Sequence, residues 1–211
     1  MFREGNFVFS ENESGESTIL ASCIPKVIIE KLKEDIITPT YASEGDSGMD
    51  VYAVDDLIIL PGTATSMGLG FKLLIPKHPL HDFGYRWELQ VRPRSGISAR
   101  TLMTVILGSV DNLYRGEVGV IIHNTNALQY HQNKETKVIH ITSDYPLSLK
   151  GEKDPDFPFD NELPEGTYII RKGEKFAQLV FNEVIRPLEM EIGVVDETDR
   201  GDKGFGSTGI R

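Results

Sequence analysis

An all-β fold of short antiparallel strands is predicted for this 211-residue chain by three observations. Short apolar or alternating runs recur along it, turn-forming Pro, Gly and Asn punctuate them, and no long stretch carries the 3.6-residue period of an amphipathic helix. In order, the runs fall at 27–32, 51–53, 57–60, 68–75, 87–91, 105–110, 118–123, 137–141, 168–170 and 176–181. Pro61-Gly62, Pro76, Pro79 and Asn124 mark turns between them. One short helix is expected after Pro93, from about Ser95 to Leu102. Strands this short bury a core only as a sandwich or a barrel.

An apolar content of 39% is enough for one substantial core, which predicts a single domain with appendages. The 32 acidic and 22 basic residues leave a formal charge of −10, which repels polyanions. A bound phosphate must therefore meet a local cationic cluster or a metal ion, which favours a small nucleotide with Mg²⁺ over DNA or RNA. The single cysteine, Cys23, excludes an intrachain disulfide, fits a reducing compartment and reads as a small apolar side chain. No apolar run reaches the roughly 18 to 20 residues that span a bilayer, and the polar start is unlike a signal peptide, so a cytoplasmic protein is expected. Two stretches look added to the core of 25–193. Residues 1–24 are polar and are expected to form a loose extension. Residues 126–165 carry Pro146, Pro155, Pro158 and Pro164 among charges, and are expected to be irregular, with one hairpin near 137–143.

Several segments carry chemistry. Residues 194–211 end in a Gly-rich run that is expected to stay mobile until a ligand orders it. It offers Arg200 for phosphate, Phe205 to stack on a base, and Gly206, Ser207 and Thr208 for oxygen atoms. In Arg92-Pro93-Arg94-Ser95-Gly96, proline holds Arg92 extended, glycine permits close approach, and a following helix aims free N–H groups at the same point. This is a phosphate cradle. The segment 108–116 reads as a β-hairpin with Asp111 and Tyr114 at its turn. Asp111 could order a water and accept its proton, although an aspartate in a turn also caps backbone. The Tyr114 ring could floor a sugar pocket and clash with a 2′-hydroxyl. Asp50 alone would cap a strand end. Gln178 sits in an apolar run, where an amide needs a partner. His78 and His81 lack further ligands at zinc spacing, and Pro155 and Pro158 interrupt the calcium-like set Asp154, Asp156 and Asp160.

Taken together, the runs 46–53, 91–98, 108–120 and 173–180 and the tail resemble, in order, the five motifs of the trimeric dUTPase family, which hydrolyses dUTP to dUMP and pyrophosphate. The resemblance spans about 25–125 and 166–211. It implies a jelly-roll, or β-clip, barrel assembled as a homotrimer with shared sites, and Mg²⁺ as cofactor. It implies that Asp111 activates the water and bonds the 3′-hydroxyl, and that Tyr114 excludes ribonucleotides. Gly108, Val110 and Gly119 would line the uracil pocket. Arg94, Ser95 and Gly96 would contact the α and β phosphates, and Asp50 would hold waters of the metal. Gln178 would stand near those waters or bond backbone. In the tail, Arg200 would meet the γ-phosphate, Phe205 would cover uracil, and Ser207 and Thr208 would bond phosphate oxygens. Lys203 departs from the motif, standing where glycine is usual. The same-fold dCTP deaminases are similar in the hairpin, but Ile121 stands where their catalytic glutamate is expected. Some phage members carry insertions that engage other proteins, so 126–165 is expected to be a surface arm open to a protein partner, and deletion of 130–162 to spare turnover.

Overall fold

The structure, a computed structural model, describes residues 2–4, 7–11, 17–21, 25–128, 130–131, 139–140, 142–157, 163–198 and 201. Its strands in chain order are β1 (Phe2–Glu4), β2 (Phe7–Glu11), β3 (Ser17–Ala21), β4 (Ile28–Lys31), β5 (Met49–Tyr52), β6 (Leu57–Ile59), β7 (Ala64–Leu74), β8 (Tyr85–Pro93) and β9 (Met103–Val105). They continue as β10 (Gly108–Asp111), β11 (Glu117–Asn124), β12 (Tyr130–His131), β13 (Ile139–His140), β14 (Thr142–Ser143), β15 (Leu163–Pro164), β16 (Tyr168–Ile170) and β17 (Lys175–Ile185). A single α-helical turn, α1 (Ser95–Ser98), follows β8. Among the described residues, no helix is long and apolar enough to cross a membrane.

Two four-stranded antiparallel sheets, ordered β10-β8-β17-β5 and β4-β7-β11-β9, form the body. Side chains alternate across each strand, so one face of each sheet is apolar and the two faces close on each other. Leu89 and Val91 of β8, Leu179 of β17, Leu69 and Phe71 of β7, and Val118, Val120 and Ile122 of β11 fill the space between. Burying side chains of this size contributes about 1.5 to 3 kcal/mol each. On β8 the alternation is complete: Trp87, Leu89 and Val91 point inward, while Arg86, Glu88, Gln90 and Arg92 line the outer face. Asn124, in line with the apolar face of β11, is fully buried. Its amide donates to the carbonyls of Ile59 and Gly166 and accepts from the Asn126 N–H, which ties three segments together.

Four expectations need correction. The run 105–110 is not one strand: β9 pairs with β11 and β10 pairs with β8, so the chain changes sheet at Ile106-Leu107. The helix is shorter than expected and ends at Ser98: the Arg100 N–H bonds the Ile97 carbonyl in a tighter turn, and the chain leaves the helical path after Thr101. The N-terminal segment is not loose, since β1, β2 and β3 form an antiparallel sheet. The β-prone runs Phe7-Val8-Phe9 and Thr18-Ile19-Leu20 explain it, and composition averaged over 24 residues conceals them.

The fourth concerns the insertion, which is not a surface arm along its whole length. β12 pairs with β13, and β14 with β15, so Ile139–His140 and Thr142–Ser143 belong to different pairings rather than to one hairpin. Beyond them the chain docks on the body. The Leu147 N–H donates to the Thr167 carbonyl (2.7 Å) and its carbonyl accepts from Ile169 N–H (2.8 Å). Leu149 joins the core. Arg171 grips both oxygens of Asp154 at 2.9 and 3.0 Å and lies over the Phe157 ring. Deletion of 130–162 would remove all of these contacts.

At the other end, Arg186 makes the last backbone bond to the body, to Gly84. From there the described chain is exposed, and Leu188, Met190, Ile192 and Val194 all face outward, Ile192 and Val194 completely. The chain thus leaves the body about eight residues before the expected boundary at 194.

Candidate active site

The ends of β5, β8 and β17 meet at α1 and form an open cleft of about 840 Å³. Register brings its polar residues together: Gln178 pairs with Asp50 on one side and with Arg92 on the other. Facing residues of adjacent strands share a side of the sheet, so these three project into the same space. Asp50 is buried there, and both carboxylate oxygens are engaged, Oδ1 by Arg94 Nε at 2.9 Å and Oδ2 by Lys175 Nζ at 3.0 Å. The hydrogen bond and the charge of Asp50 hold the Lys175 ammonium above its ordinary pKa, so it stays cationic through neutral pH. Arg94 also donates to the Lys175 carbonyl, and Gln178 donates to the Pro93 carbonyl, which satisfies the awkward amide. Any Cβ at Gly48 would collide with the Gln178 side chain, so glycine there allows the cleft floor to close. Asp46, Ser95, Gly96 and Arg100 complete the wall.

Sequence reasoning found Asp50, Arg94, Ser95, Gly96 and Gln178 here and missed Lys175 and Arg100. Lys175 stands three residues before Gln178, and strict alternation puts such a pair on opposite faces. A register shift between Lys175 and Ala177 adds the residue that returns Lys175 to the cleft side. The single turn of α1 also changes the reading of the cradle. A helix this short carries little dipole, so the side chains of Arg92, Arg94, Arg100 and Lys175 supply its positive charge.

A second cleft, of about 550 Å³, opens between β10 and β11. The expected hairpin is an arch. β10 bonds only β8, at the edge of one sheet, and β11 runs in the other, so the strands diverge around the turn at 112–116. β9 covers β11 only from Ile122 onward, which leaves the edge at 117–120 outside that ladder. Gly108, Val110, Asp111, Tyr114 and Gly119 line this gap. Tyr114 is fixed at the turn by its N–H to the Asp111 carbonyl (3.0 Å) and its hydroxyl to the Glu117 carbonyl (3.0 Å). Glu117 Oε1 accepts from Gly70 N–H at 2.7 Å and anchors the base of the arch to β7. Asp111 itself is exposed and faces Glu88 across the ladder. Ile121 projects outward from β11 and brings no acid to the position a deaminase requires.

The clefts are apart within one protomer. Asp111 faces Glu88, whereas Asp50 and Gln178 align with Arg92, four residues along β8. At roughly 3.3 Å per residue that is about 13 Å along the strand, before the spacing of the intervening strands is added. Arg200, Phe205, Gly206, Ser207 and Thr208, like Lys203 and Cys23, lie outside the described residues. His78 is buried, accepts from the Leu80 N–H through Nδ1 and has Nε2 2.7 Å from Glu183.

A family model for dUTPase matches residues 34–141 and 164–209. Among curated proteins, the deoxyuridine 5′-triphosphate nucleotidohydrolase of Hydrogenobaculum sp. (strain Y04AAS1) is 31% identical, covering 88% of this chain and 99% of its own. That of Clostridium tetani is 31% identical over 86% and 94%. Among solved structures, the dUTPase of Staphylococcus bacteriophage 80alpha with dUpNHpp superposes with a TM-score of 0.69 at 23% identity, covering 88% of this chain and 99% of that one. The dUTPase of S. aureus phage phi11, described with a species-specific insert, gives 0.62 at 24% identity, covering 82% and 98%. The fold is the jelly roll these structures share. With five motifs in order, two clefts built from four of them and a family match over most of its length, the chain belongs to the dUTPase family, and its reaction is the hydrolysis of dUTP.

Proposed function

We propose that hydrolysis proceeds by attack of an Asp111-activated water on the α-phosphorus, in a composite site that joins the arch of one protomer to the phosphate cleft of another. The separation of the two clefts carries this reading. Asp111 and the Asp50–Gln178 group stand four residues apart along β8 and open on different parts of the surface, which favours a second copy bringing its own cleft to the arch. The exposed apolar row from Leu188 to Val194 supports the same assembly, since a surface of that kind calls for a partner, and a homotrimer closes the arrangement symmetrically.

In this scheme uracil enters between β10 and β11 and is read by their backbone edges, which Gly108, Val110 and Gly119 line. Tyr114 floors the deoxyribose and excludes a 2′-hydroxyl. Asp111 accepts the proton as the water oxygen bonds the α-phosphorus. The bond from that phosphorus to the bridging oxygen of the β-phosphate breaks, and pyrophosphate departs. Arg94, with Ser95 and Gly96, offsets the charge that develops on the leaving group. Arg200, Phe205, Gly206, Ser207 and Thr208 close over the nucleotide and exclude bulk water.

Mg²⁺ fits this site as a water-held ion. Both Asp50 oxygens are occupied by cations, and among the described residues no group of three His, Cys, Asp or Glu side chains could enclose a metal. Asp50 and Gln178 would orient its waters, and its other ligands would come from the triphosphate. When bound, the ion supplies charge neutralisation of the phosphate chain. The test is pyrophosphate release from a panel of nucleotides with and without Mg²⁺. The scheme requires dUTP to be the preferred substrate and chelation to abolish turnover; equal turnover in EDTA contradicts the metal, and equal turnover of UTP contradicts the Tyr114 assignment.

A further inference from the structure

Leu149 belongs to the insertion by sequence and packs behind the phosphate cleft by position. The family model leaves 142–163 unmatched, yet Leu149 is only 9% exposed and shares a small apolar void with Pro93, Arg94, Ile97, Met103 and Phe176. These are the residues directly beneath the cradle. Two residues on, Gly151 adopts φ +80° and lies against the Arg100 carbonyl, so closely that a Cβ would overlap the oxygen. The inserted turn thus touches both ends of the segment from Arg94 to Arg100.

That segment needs an external support. A helix of one turn gains too few hydrogen bonds to fix its own position, so packing decides where it sits. The inserted turn is itself rigid. Ser148 N–H donates to Glu152, Gly151 N–H to Ser148, and Asp154 N–H to Pro146, at 2.8 to 2.9 Å, while Leu147 donates to Thr167 and accepts from Ile169 of β16. Arg171 locks the far end through Asp154, and keeps that carboxyl below the ordinary aspartate range, so the lock is ionised at neutral pH.

We propose that Leu149 is a positioning residue for dUTP hydrolysis: wedged behind α1 by the insertion, it sets the height of Arg94, Ser95 and Gly96 against the phosphate chain. The proposal rests on the cradle reading of those three residues. It assigns the inner side of the insertion to the reaction itself, whatever its outer side serves. Shortening the wedge lets α1 sink into the void, and a displacement of about 1 Å at a positioning contact can cost up to 10²-fold. The nucleoside pocket in the arch is untouched.

The test compares binding of dUDP and of 2′-deoxyuridine to the full-length protein with Leu149→Ala, Leu149→Met, Gly151→Ala and Arg94→Ala. Leu149→Ala is expected to weaken dUDP about tenfold and lower kcat/KM for dUTP at least as much, with deoxyuridine binding kept within about twofold. Methionine, of similar volume, restores dUDP binding to within about twofold. Gly151→Ala, which pushes the turn off the Arg100 carbonyl, shifts dUDP in the same direction and serves if the first variant does not fold. Equal weakening of both ligands, or unchanged dUDP binding in both the Leu149 and Gly151 variants while Arg94→Ala still loses it, overturns the proposal. Unchanged dUDP binding in Arg94→Ala overturns the cradle reading instead.

Discussion

In the cleft around Asp50 the central polar groups are cross-braced: a buried carboxylate holds an arginine and a lysine, the arginine holds a carbonyl, and a glutamine bonds the strand beside it. In the arch around Asp111 the carboxylate is exposed, and the pocket is a gap between strand edges from two different sheets. The contrast matches what the proposed scheme asks each to recognise. A triphosphate varies little in shape and demands fixed positive charge, which needs side chains held against their own repulsion. A base is recognised by its edge, and unpaired backbone already presents donors and acceptors at fixed spacing.

Variants on the two sides should therefore fail differently. The largest effect is expected from Asp111→Asn, which keeps the arch intact and removes the proton acceptor. Its kcat should fall by about 10² to 10⁴ while dUDP affinity holds, and a near-normal rate would remove Asp111 from the chemistry. Asp50→Ala should act through binding and order: kcat/KM for dUTP falls about 10²-fold, and the Arg94 and Lys175 side chains, each about a third exposed, relax toward solvent. Tyr114→Ala should change selectivity more than rate, raising UTP turnover relative to dUTP about tenfold; unchanged discrimination places the sugar check elsewhere. The smallest effect is spectroscopic. In Asp50→Ala the Lys175 ammonium should titrate lower than in the parent, toward the ordinary value of about 10.4, because the carboxylate that raises it is gone. Since the parent pKa is raised, any stability it contributes is full below that ordinary value and lost only as pH climbs through the raised one.

The two regions also differed in how far they could be read from sequence. Asp50, Arg94, Asp111 and Tyr114 sit in short motifs whose chemistry is local, and the alternation along β8 shows in the residues themselves. What escaped depends on tertiary geometry. Lys175 reaches the cleft only because of a register shift beside Phe176, which adds a residue without a glycine or proline to announce it. The arch looked like a hairpin because the turn at 112–116 is ordinary; only the pairing of β10 with β8 reveals that its strands belong to different sheets. Leu149 stands with Leu147 in a Pro-rich, charged stretch, and its burial depends on the shape of the surface beneath α1. The N-terminal strands were hidden by averaging, since Phe7-Val8-Phe9 is strand-like while the segment around it is not.

The composite site is tested most directly by mixing two inactive proteins. Asp111→Asn and Asp50→Ala variants, unfolded and refolded together in equal amounts, form mixed trimers in which some sites draw an intact arch from one chain and an intact cleft from another. Random assembly restores about a quarter of parental activity when the two halves come from different protomers. Activity no greater than the mean of the separate variants, with mixed trimers verified by mass, would place both halves in one chain and contradict the account.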